Sequence, residues 1–288
     1  MLGRICIIGV GLIGGSWARA LKAAHACREI VGSGRNEAQL IRARELGVID
    51  GYSLDPAVAA EGADVVVLAV PVGSTESTVR QLAPALTADT ILTDVGSTKG
   101  SVVQAVERAL GRRPAGFVPG HPIAGTEKSG VEASFAELFR QRRVILTPLP
   151  ETQPAATATV RRLWELAGAE VVEMDVQHHD EVLAATSHLP HLLAFALVDT
   201  LARMEEHREI FRFAAGGFRD FTRIASSDPQ MWHDICLANR DALLDVLANY
   251  QADLDRLANA VREGKGEVLL ETFRRAKAAR DRFTENGR

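Results

Sequence analysis

One histidine lies mid-chain in a segment with little side-chain bulk. His121 opens HPIAGTEKSG (121–130), in which small residues and glycines lead to Thr126. A neutral imidazole accepts protons near neutrality because its ordinary pKa is about 6.5. Small residues let a ligand approach the backbone closely. The segment indicates a loop that presents His121 to a ligand, although a lone histidine is also typical of a structural loop cap.

A glycine-rich turn near the start indicates a nucleotide site. GVGLIGGS places Gly9, Gly11 and Gly14 in the G-x-G-x-x-G pattern, between a predicted strand and a predicted helix. The glycines permit a tight turn, and the N-terminus of the helix attracts a pyrophosphate. The turn therefore predicts a dinucleotide site, which also includes Leu12 and Ile13.

The end of the second predicted strand bears on which dinucleotide binds. NAD sites usually have Asp or Glu there for the ribose, whereas an arginine accommodates the extra phosphate of NADP. This chain has Ser33, Gly34 and Arg35 instead. The pattern favours NADP over NAD without excluding NAD, and Arg35 is also compatible with a solvated surface position.

Two further strand ends supply candidate residues. AVPV (69–72) and DVGSTKG (94–100) each close a predicted strand, and ligands of such sheets bind beyond the carboxyl ends of the strands. We therefore expect Val70, Pro71 and Ser97 near the nicotinamide. Ser97 also suits an N-cap of the following helix, and the two roles are compatible.

The elements that position these residues change character along the chain. In the first half, short apolar segments alternate with helical patterns, which predicts a Rossmann-type, doubly wound, mostly parallel α/β sheet over residues 1–174. The remainder, 175–288, is predicted to be all helical. The predicted strands are 4–10, 29–34, 63–70, 90–96, 116–120, 143–148 and 170–175, and the predicted C-terminal helices are 181–204, 230–262 and 264–283.

The helix over 181–204 is apolar nearly all round, and Pro190 is expected to kink it. A helix of this kind must be buried on several sides. Because few residues remain to cover it, we predict a homodimer formed through the helical domain.

Composition narrows the function classes. The chain has 288 residues, a net charge of −4 and 3 cysteines without metal-binding spacing. These values argue against a nucleic-acid partner and a membrane-surface patch. No apolar run approaches the roughly 18–20 residues of a membrane span, and the first strand begins almost at Met1. We therefore expect no membrane segment, no signal peptide and a cytoplasmic location.

The histidines near the long helix offer only a weak metal-binding pattern. HHDE (178–181) precedes the long helix, so that His179, His188 and His191 could be considered as ligands. Their spacing is a single weak pair, and Asp180 with Glu181 suits the negative charges preferred at a helix N-terminus. We predict no metal.

Several motifs together resemble one enzyme family. GVGLIGGS, DVGSTKG, HPIAGTEKSG, SHLPH (187–191) and GGFRDFTRIASSDPQMW (216–232) occur in the order found in prephenate/arogenate dehydrogenases of tyrosine biosynthesis. The resemblance implies NAD(P)-dependent oxidative decarboxylation of prephenate or arogenate to 4-hydroxyphenylpyruvate or tyrosine. Which of the two substrates is preferred stays open.

The resemblance also implies roles for individual residues. His121 would accept the proton of the ring hydroxyl, and Ser97 would bind the same hydroxyl and the cofactor. Arg223 would bind a substrate carboxylate, which guanidinium geometry favours. The substrate-binding residues implied are Thr126, Ser187, His188, His191 and Arg223, with Ser187 and His188 in supporting roles.

Three other functions fit the sequence less well. A β-hydroxyacid dehydrogenase has a similar two-part layout but relies on a lysine in the long helix, and 176–204 contains none. An imine reductase acting on pyrroline carboxylate would not require His121 with Ser97. A non-catalytic nicotinamide-binding sensor would have no use for a base beside the nicotinamide.

Overall fold

The first half of the chain is built around a parallel sheet. The computed structural model describes residues 2–205 and 207–286. Six strands form the main sheet in the order β3-β2-β1-β4-β5-β6, and every neighbouring pair is parallel. They are β1 (Leu2–Ile8), β2 (Cys27–Ser33), β3 (Gly51–Ser53), β4 (Val65–Leu68), β5 (Ile91–Asp94) and β6 (Phe117–Val118). The predicted Rossmann-type sheet is confirmed.

The continuous hydrophobicity of the central strands follows from burial on both faces. In β1, Ile5 and Ile7 point into one apolar cluster, whereas Cys6 and Ile8 point into the cluster on the opposite face. Successive side chains of a strand alternate between faces, so a sheet covered on both sides needs apolar residues at every position. These two clusters stabilise the main sheet, and the glycine turn follows the carboxyl end of its central strand β1.

Helices cover both faces of the main sheet. They are α1 (Leu12–Ala23), α2 (Glu37–Glu45), α3 (Pro56–Ala60), α4 (Thr75–Leu82), α5 (Gly100–Leu110) and α6 (Pro154–Leu166). Local capping starts two of them, because the Asn36 side chain accepts from Gln39 N–H and that of Asp55 accepts from Ala57 N–H. The α5 N-terminus has no such local cap.

A second, smaller sheet carries the candidate base. It consists of β7 (Gly120–Pro122), β8 (Arg143–Leu146) and β9 (Glu170–Glu173), with β7 antiparallel and β9 parallel to β8. The prediction of one strand over 116–120 is wrong. The chain leaves the main sheet after Val118 and joins the second sheet at Gly120, and Pro119 between them has no N–H to donate to a ladder.

The first long helix of the C-terminal half is interrupted before its proline. It comprises α7 (Val176–Leu183), a π-helical turn (Ala184–His188) and α8 (Leu189–Ala202), with Pro190 in the first turn of α8. A π-turn widens the helix locally, and such turns are frequent at functional sites. The irregularity expected at Pro190 therefore lies in the turn that precedes it, which contains Ser187 and His188.

The same helix is long and apolar. Val176–Ala202 is long and apolar enough, by length and composition only, to cross a membrane. A single helix of this kind is weak evidence for a membrane span, and this one holds His179, Asp180 and His188 in hydrogen bonds. The sequence pattern did not single out this helix because it was judged by uninterrupted apolar residues, whereas a helix tolerates scattered polar residues at the same mean hydropathy.

Shorter helices complete the chain. The elements are α9 (His207–Arg212), α10 (Gly216–Thr222), a 3-10 turn (Arg223–Ser226), α11 (Pro229–Ala238), α12 (Arg240–Arg262) and α13 (Gly266–Asn286). The helix predicted over 230–262 is broken at Asn239. By its contacts the chain forms two compact units, Met1–Arg240 and Asp241–Arg288. All candidate site residues lie in the first unit.

Candidate active site

The predicted nucleotide-binding residues gather at one edge of the main sheet. Strands β1, β2, β4 and β5 are parallel, so their carboxyl ends meet there. The residues that follow these ends are Gly9, Gly11, Leu12, Ile13 and Gly14 after β1, Ser33 to Arg35 at the end of β2, Val70 and Pro71 after β4, and Ser97 after β5.

The glycine turn has two positions that exclude a side chain and one that leaves room for a ligand. A Cβ at Gly9, whose φ is +99°, would lie 2.2 Å from the Ala69 carbonyl oxygen, and a Cβ at Gly14 would lie 2.3 Å from that of Gly9. Nothing lies within 4 Å of a Cβ built at Gly11, the N-cap of α1. With no acidic residue or side-chain cap there, the first N–H groups of α1 suit an anion such as a pyrophosphate.

The end of β2 presents an unpaired cation. Ser33 is buried and Arg35 is exposed, while Asn36 caps α2. Within the described part of the chain, the guanidinium of Arg35 forms no ion pair. A phosphate beside the ribose would therefore meet a free positive charge.

His121 is the first member of a buried hydrogen-bonded series. It is 8% exposed, and its Nδ1 lies 2.9 Å from Nε2 of His179. Nδ1 of His179 lies in turn 2.8 Å from Oδ1 of Asp180. The Nε2 atom of His121 remains for another partner. The sequence analysis missed His179 and Asp180 in this role because 58 residues separate His121 from His179.

Asp180 also joins α7 to α5. Its two carboxylate oxygens accept the backbone N–H groups of Lys99 and Gly100, each at 2.8 Å. The expectation that Asp180 serves its own helix N-terminus is wrong, because Asp175 caps α7 and Asp180 caps α5. Ser97 is consequently not the side-chain cap of that helix.

A buried ion pair holds the residue before His121. Lys99 is fully buried and pairs with Asp94. The Gly120 carbonyl accepts from Nζ of Lys99, and its N–H donates to Oδ1 of Asp94 at 3.0 Å. Both backbone polar groups of Gly120 are thereby fixed, which restrains the backbone that carries His121.

The π-turn and α11 bring two more histidines against Trp232. His188 is fully buried, and its Nδ1 lies 3.0 Å from the Asn239 amide nitrogen. The imidazole of His191 stacks on the Trp232 ring with the centroids 3.6 Å apart, and the Ser187 carbonyl lies 2.8 Å from its Nδ1. The Nε2 atom of His191 is left available for a ligand.

Burial keeps these imidazoles neutral. It lowers the pKa of His121 well below 6.5, reinforced by His179, Lys99 and His188. Burial also lowers the pKa of His188 to about 4, against the opposing effect of Asp180. The pKa of His191 is lowered mainly by burial, with a smaller contribution from Arg223. At neutral pH these three imidazoles are therefore uncharged.

The remaining predicted residues are less tightly held. Ser97 is half-buried, and its backbone contacts His188. Thr126 is exposed and accepts from the Lys128 N–H at 3.2 Å. The guanidinium of Arg223, 65% exposed, lies 3.8 Å from the carboxylate of Glu127. Thr126 thus lies on the same loop as Glu127, the acidic partner of Arg223.

The histidines are not arranged around a metal. Over residues 2–205 and 207–286, no group of three His, Cys, Asp or Glu side chains is placed to hold a metal ion. His179 and His188 are occupied by Asp180 and Asn239 instead.

Comparison with known proteins gives consistent matches along the chain. A family model described as "Prephenate dehydrogenase, nucleotide-binding domain" matches residues 17–173, and "Prephenate dehydrogenase, dimerization domain" matches 175–275. A cyclohexadienyl dehydrogenase from Zymomonas mobilis is 42% identical over 96% of this chain and 94% of its own length. A prephenate dehydrogenase from Bacillus subtilis is 39% identical over 96% of this chain and 75% of its own length.

Solved structures agree with the sequence matches. The crystal structure of Aquifex aeolicus prephenate dehydrogenase, in complex with hydroxyphenyl propionate and NAD+, has a TM-score of 0.90 and 39% identity, covering 97% of this chain and 98% of that one. The crystal structure of Synechocystis arogenate dehydrogenase has a TM-score of 0.81 and 27% identity, and the match covers 97% of this chain and 99% of that one.

Proposed function

The chain belongs to the prephenate dehydrogenase family, and from that membership we propose that it oxidatively decarboxylates prephenate, arogenate or both, with hydride transfer to NAD(P)+, in tyrosine biosynthesis. In this reaction hydride leaves C4 of the cyclohexadiene ring, CO2 leaves C1 and the ring becomes aromatic. The observation that carries the proposal is His121, which lies in the second sheet just beyond the carboxyl end of β6, in a fold whose glycine turn suits a dinucleotide.

The glycine turn and the strand ends form the proposed cofactor site. Gly9 and Gly14 keep the turn close to β4, and Gly11 leaves the N-terminus of α1 open for the pyrophosphate. A bound nicotinamide would supply the hydride acceptor. Val70, Pro71 and Ser97 would line that end of the site, and Ser33, Gly34 and Arg35 the ribose end.

His121 is proposed as the general base. Its Nδ1 is engaged by His179, which leaves Nε2 to accept the C4 hydroxyl proton as hydride departs. Ser97 would donate to or accept from the same hydroxyl. Because the reaction releases no net proton, the proton held on His121 can return to the phenolate oxygen of the product.

The substrate carboxylates need cationic and polar partners. Arg223 is proposed to bind one of them, in place of the Glu127 carboxylate that lies 3.8 Å from it. His191 would present its free Nε2 to the substrate, positioned by Trp232 and the Ser187 carbonyl. His188 and Ser187 support this arrangement, and Thr126 is placed at its rim.

The chain is also proposed to act as a cytoplasmic homodimer of two-domain subunits. The domains would be 1–174, which binds the nucleotide, and 175–288, which dimerises and binds substrate. In α8 only Leu189 and Ala194 are buried, although the helix is strongly apolar, so a partner subunit would supply the missing cover. The description of the second matching family model as a dimerization domain supports this proposal.

The dimer makes a direct prediction. Light scattering at micromolar concentration should give a mass near twice the 31.1 kDa of one chain, because burial of apolar surface on α8 stabilises association at about 25 cal/mol per Å². The same measurement after serial dilution separates a stable dimer from weak association. A mass of one chain across the micromolar range would contradict the proposal.

The proposed reaction is tested by assaying prephenate and arogenate, each with NAD and with NADP. Turnover of at least one of the four combinations is expected, with production of CO2 and a phenol. Absence of turnover in all four, while a dinucleotide still binds, would overturn the reaction and leave a nicotinamide-binding sensor.

Cofactor preference is predicted to depend on Arg35. We propose that NADP is preferred, because the free guanidinium of Arg35 suits the extra phosphate and no acidic residue stands among Ser33 to Asn36 at the end of β2. Arg35→Ala should lower the NADP/NAD ratio of kcat/KM by about fivefold to 13-fold, which corresponds to roughly 1 kcal/mol for an exposed charge pair and roughly 1.5 kcal/mol for a charge-assisted hydrogen bond. Arg28→Ala, at the other end of β2, is the matched control. An unchanged ratio in Arg35→Ala would remove Arg35 from the specificity.

A further inference from the structure

A largely buried carboxylate, that of Asp180, lies two hydrogen bonds away from the proposed base, and its side chain is 13% exposed. We propose that Asp180 is a positioning residue that acts through His179: it sets which nitrogen of His121 faces the substrate and balances the charge that His121 acquires. This proposal rests on the proposed function, since it assumes that His121 accepts a proton. Neither Asp180 nor His179 was among the residues predicted to act in the site.

The Asp180 carboxylate sets the direction of the hydrogen bonds. Burial acts to raise the pKa of the Asp180 carboxyl, but the hydrogen bonds from His179, Lys99 and Gly100 outweigh it and hold that pKa below its ordinary value. Asp180 is therefore ionised at neutral pH and can only accept hydrogen bonds. The hydrogen between Asp180 and His179 must then reside on Nδ1 of His179.

The same direction continues from His179 to His121. Burial lowers the pKa of His179, so its imidazole is neutral and Nε2 carries a lone pair. That lone pair accepts from Nδ1 of His121, 2.9 Å away, which places the ring hydrogen of His121 on Nδ1. The Nε2 atom of His121 is left unprotonated, as a general base requires.

The groups around His121 and His179 together carry a net negative charge. The titratable groups that act on His121 are His179 and His188, which are neutral, and Lys99, while Asp94 and Asp180 act in turn on His179. Lys99 is paired with Asp94, so the formal charge of one carboxylate, that of Asp180, is left over. When His121 gains the hydroxyl proton, the group as a whole becomes neutral.

A fixed negative charge in a buried site stabilises a developing cation more than it would in water. The proton moves from the C4 hydroxyl to Nε2 of His121 and later returns to the phenolate oxygen, so no proton has to leave through His179. The hydrogen of His121 on Nδ1 stays directed at His179 throughout. Asp180 is thus required for orientation and charge balance, without itself being protonated.

Asp180 has a structural role that the test must separate from this one, because it caps α5 through Lys99 and Gly100. Asp180→Asn keeps one oxygen for those N–H groups and removes the charge. If the new amide donates a hydrogen bond to Nδ1 of His179, the hydrogen of that ring moves to Nε2. The tautomer of His121 then changes as well, and its Nε2 becomes protonated. Asp55→Asn is a matched control, since Asp55 also accepts a backbone N–H at a helix N-terminus, that of α3, but does so locally and at an exposed position.

The experiment combines kinetics with histidine NMR on the full-length enzyme. Asp180→Asn is expected to lower kcat by about 100-fold or more, since the analogous carboxylate change in a serine-protease triad lowers kcat by about 10⁴. KM for the dinucleotide should stay within about threefold. Nitrogen-15 chemical shifts should show the His121 hydrogen on Nδ1 in the wild type and on Nε2 in Asp180→Asn. Asp55→Asn should change neither kcat nor the position of this hydrogen.

The outcomes distinguish this proposal from the proposed function. If kcat of Asp180→Asn stays within threefold of wild type, or if the wild type carries its His121 hydrogen on Nε2, the positioning role is wrong. If Asp180→Asn does not fold, His179→Gln decides in its place, and near-wild-type turnover there would equally overturn the proposal. An inactive wild type with the expected tautomer would count against the reaction and not against the hydrogen-bond order.

Discussion

His121→Asn is expected to lower kcat by roughly 100-fold or more, the usual scale for a lost general base. The reason is geometric: His121 is 8% exposed, His179 holds its Nδ1, and its Nε2 atom is the one left to take the ring-hydroxyl proton. Asparagine fills a similar volume and can keep the hydrogen bond to His179, but it cannot accept a proton at neutral pH. KM for the dinucleotide should change little.

The pH dependence gives this prediction a second readout. Because burial and neighbouring groups lower the pKa of His121 well below 6.5, the base stays neutral to a more acidic pH than free imidazole does. The acid limb of kcat/KM should therefore lie below pH 6.5, with activity maintained as pH falls through that value. An acid limb above 6.5 would contradict the assignment.

A neighbouring histidine provides the control. His178 is exposed and precedes His179 in α7. His178→Asn should leave kcat and its pH profile unchanged, which separates loss of a base from general disturbance of α7. Near-wild-type turnover of His121→Asn would end the assignment of His121.

Local pattern was sufficient for much of the fold. The strand-glycine-helix context at Gly9–Gly14 predicted the first βα unit, because each feature of that turn depends only on adjacent residues. The apolar segments such as 4–10 and 63–70 predicted a sheet buried on both faces, and Ile5 with Cys6 shows why, since they occupy opposite clusters. The change of period near residue 175 likewise coincides with the beginning of α7 at Val176.

Pairing between distant segments could not be predicted in the same way. Whether Gly120–Pro122 joins β6 or a new sheet depends on β8, which is more than 20 residues away. Asp180 was correctly associated with a helix N-terminus but with the wrong helix, since Lys99 and Gly100 are 81 and 80 residues distant. The buried Lys99–Asp94 pair lies inside a motif that was recognised, yet the motif gives no sign that Gly120 is the third partner.

Arg223 is expected to determine substrate affinity rather than the chemical step. Arg223→Gln should raise KM for prephenate by about 10- to 150-fold, which corresponds to the roughly 1.5–3 kcal/mol of a hydrogen bond to a charged group, with a smaller change in kcat. The guanidinium lies beside Glu127 and close enough to His191 to lower its pKa, so it flanks the proposed substrate position. A substrate carboxylate would offer it a stronger, bidentate partner than the carboxylate at 3.8 Å.

Two variants test whether charge or geometry matters at this position. Arg223→Lys keeps the charge but loses the planar pair of donors, so it should recover only part of the affinity. Arg219→Gln, on the exposed last turn of α10, removes an equal charge from the surface and should leave KM within about twofold. If Arg223→Gln and Arg219→Gln raised KM equally, the effect would be a general loss of positive charge, and Arg223 would not be a substrate ligand. The dinucleotide KM should be unaffected in all three variants, because the glycine turn that would bind the pyrophosphate lies on a different part of the first unit.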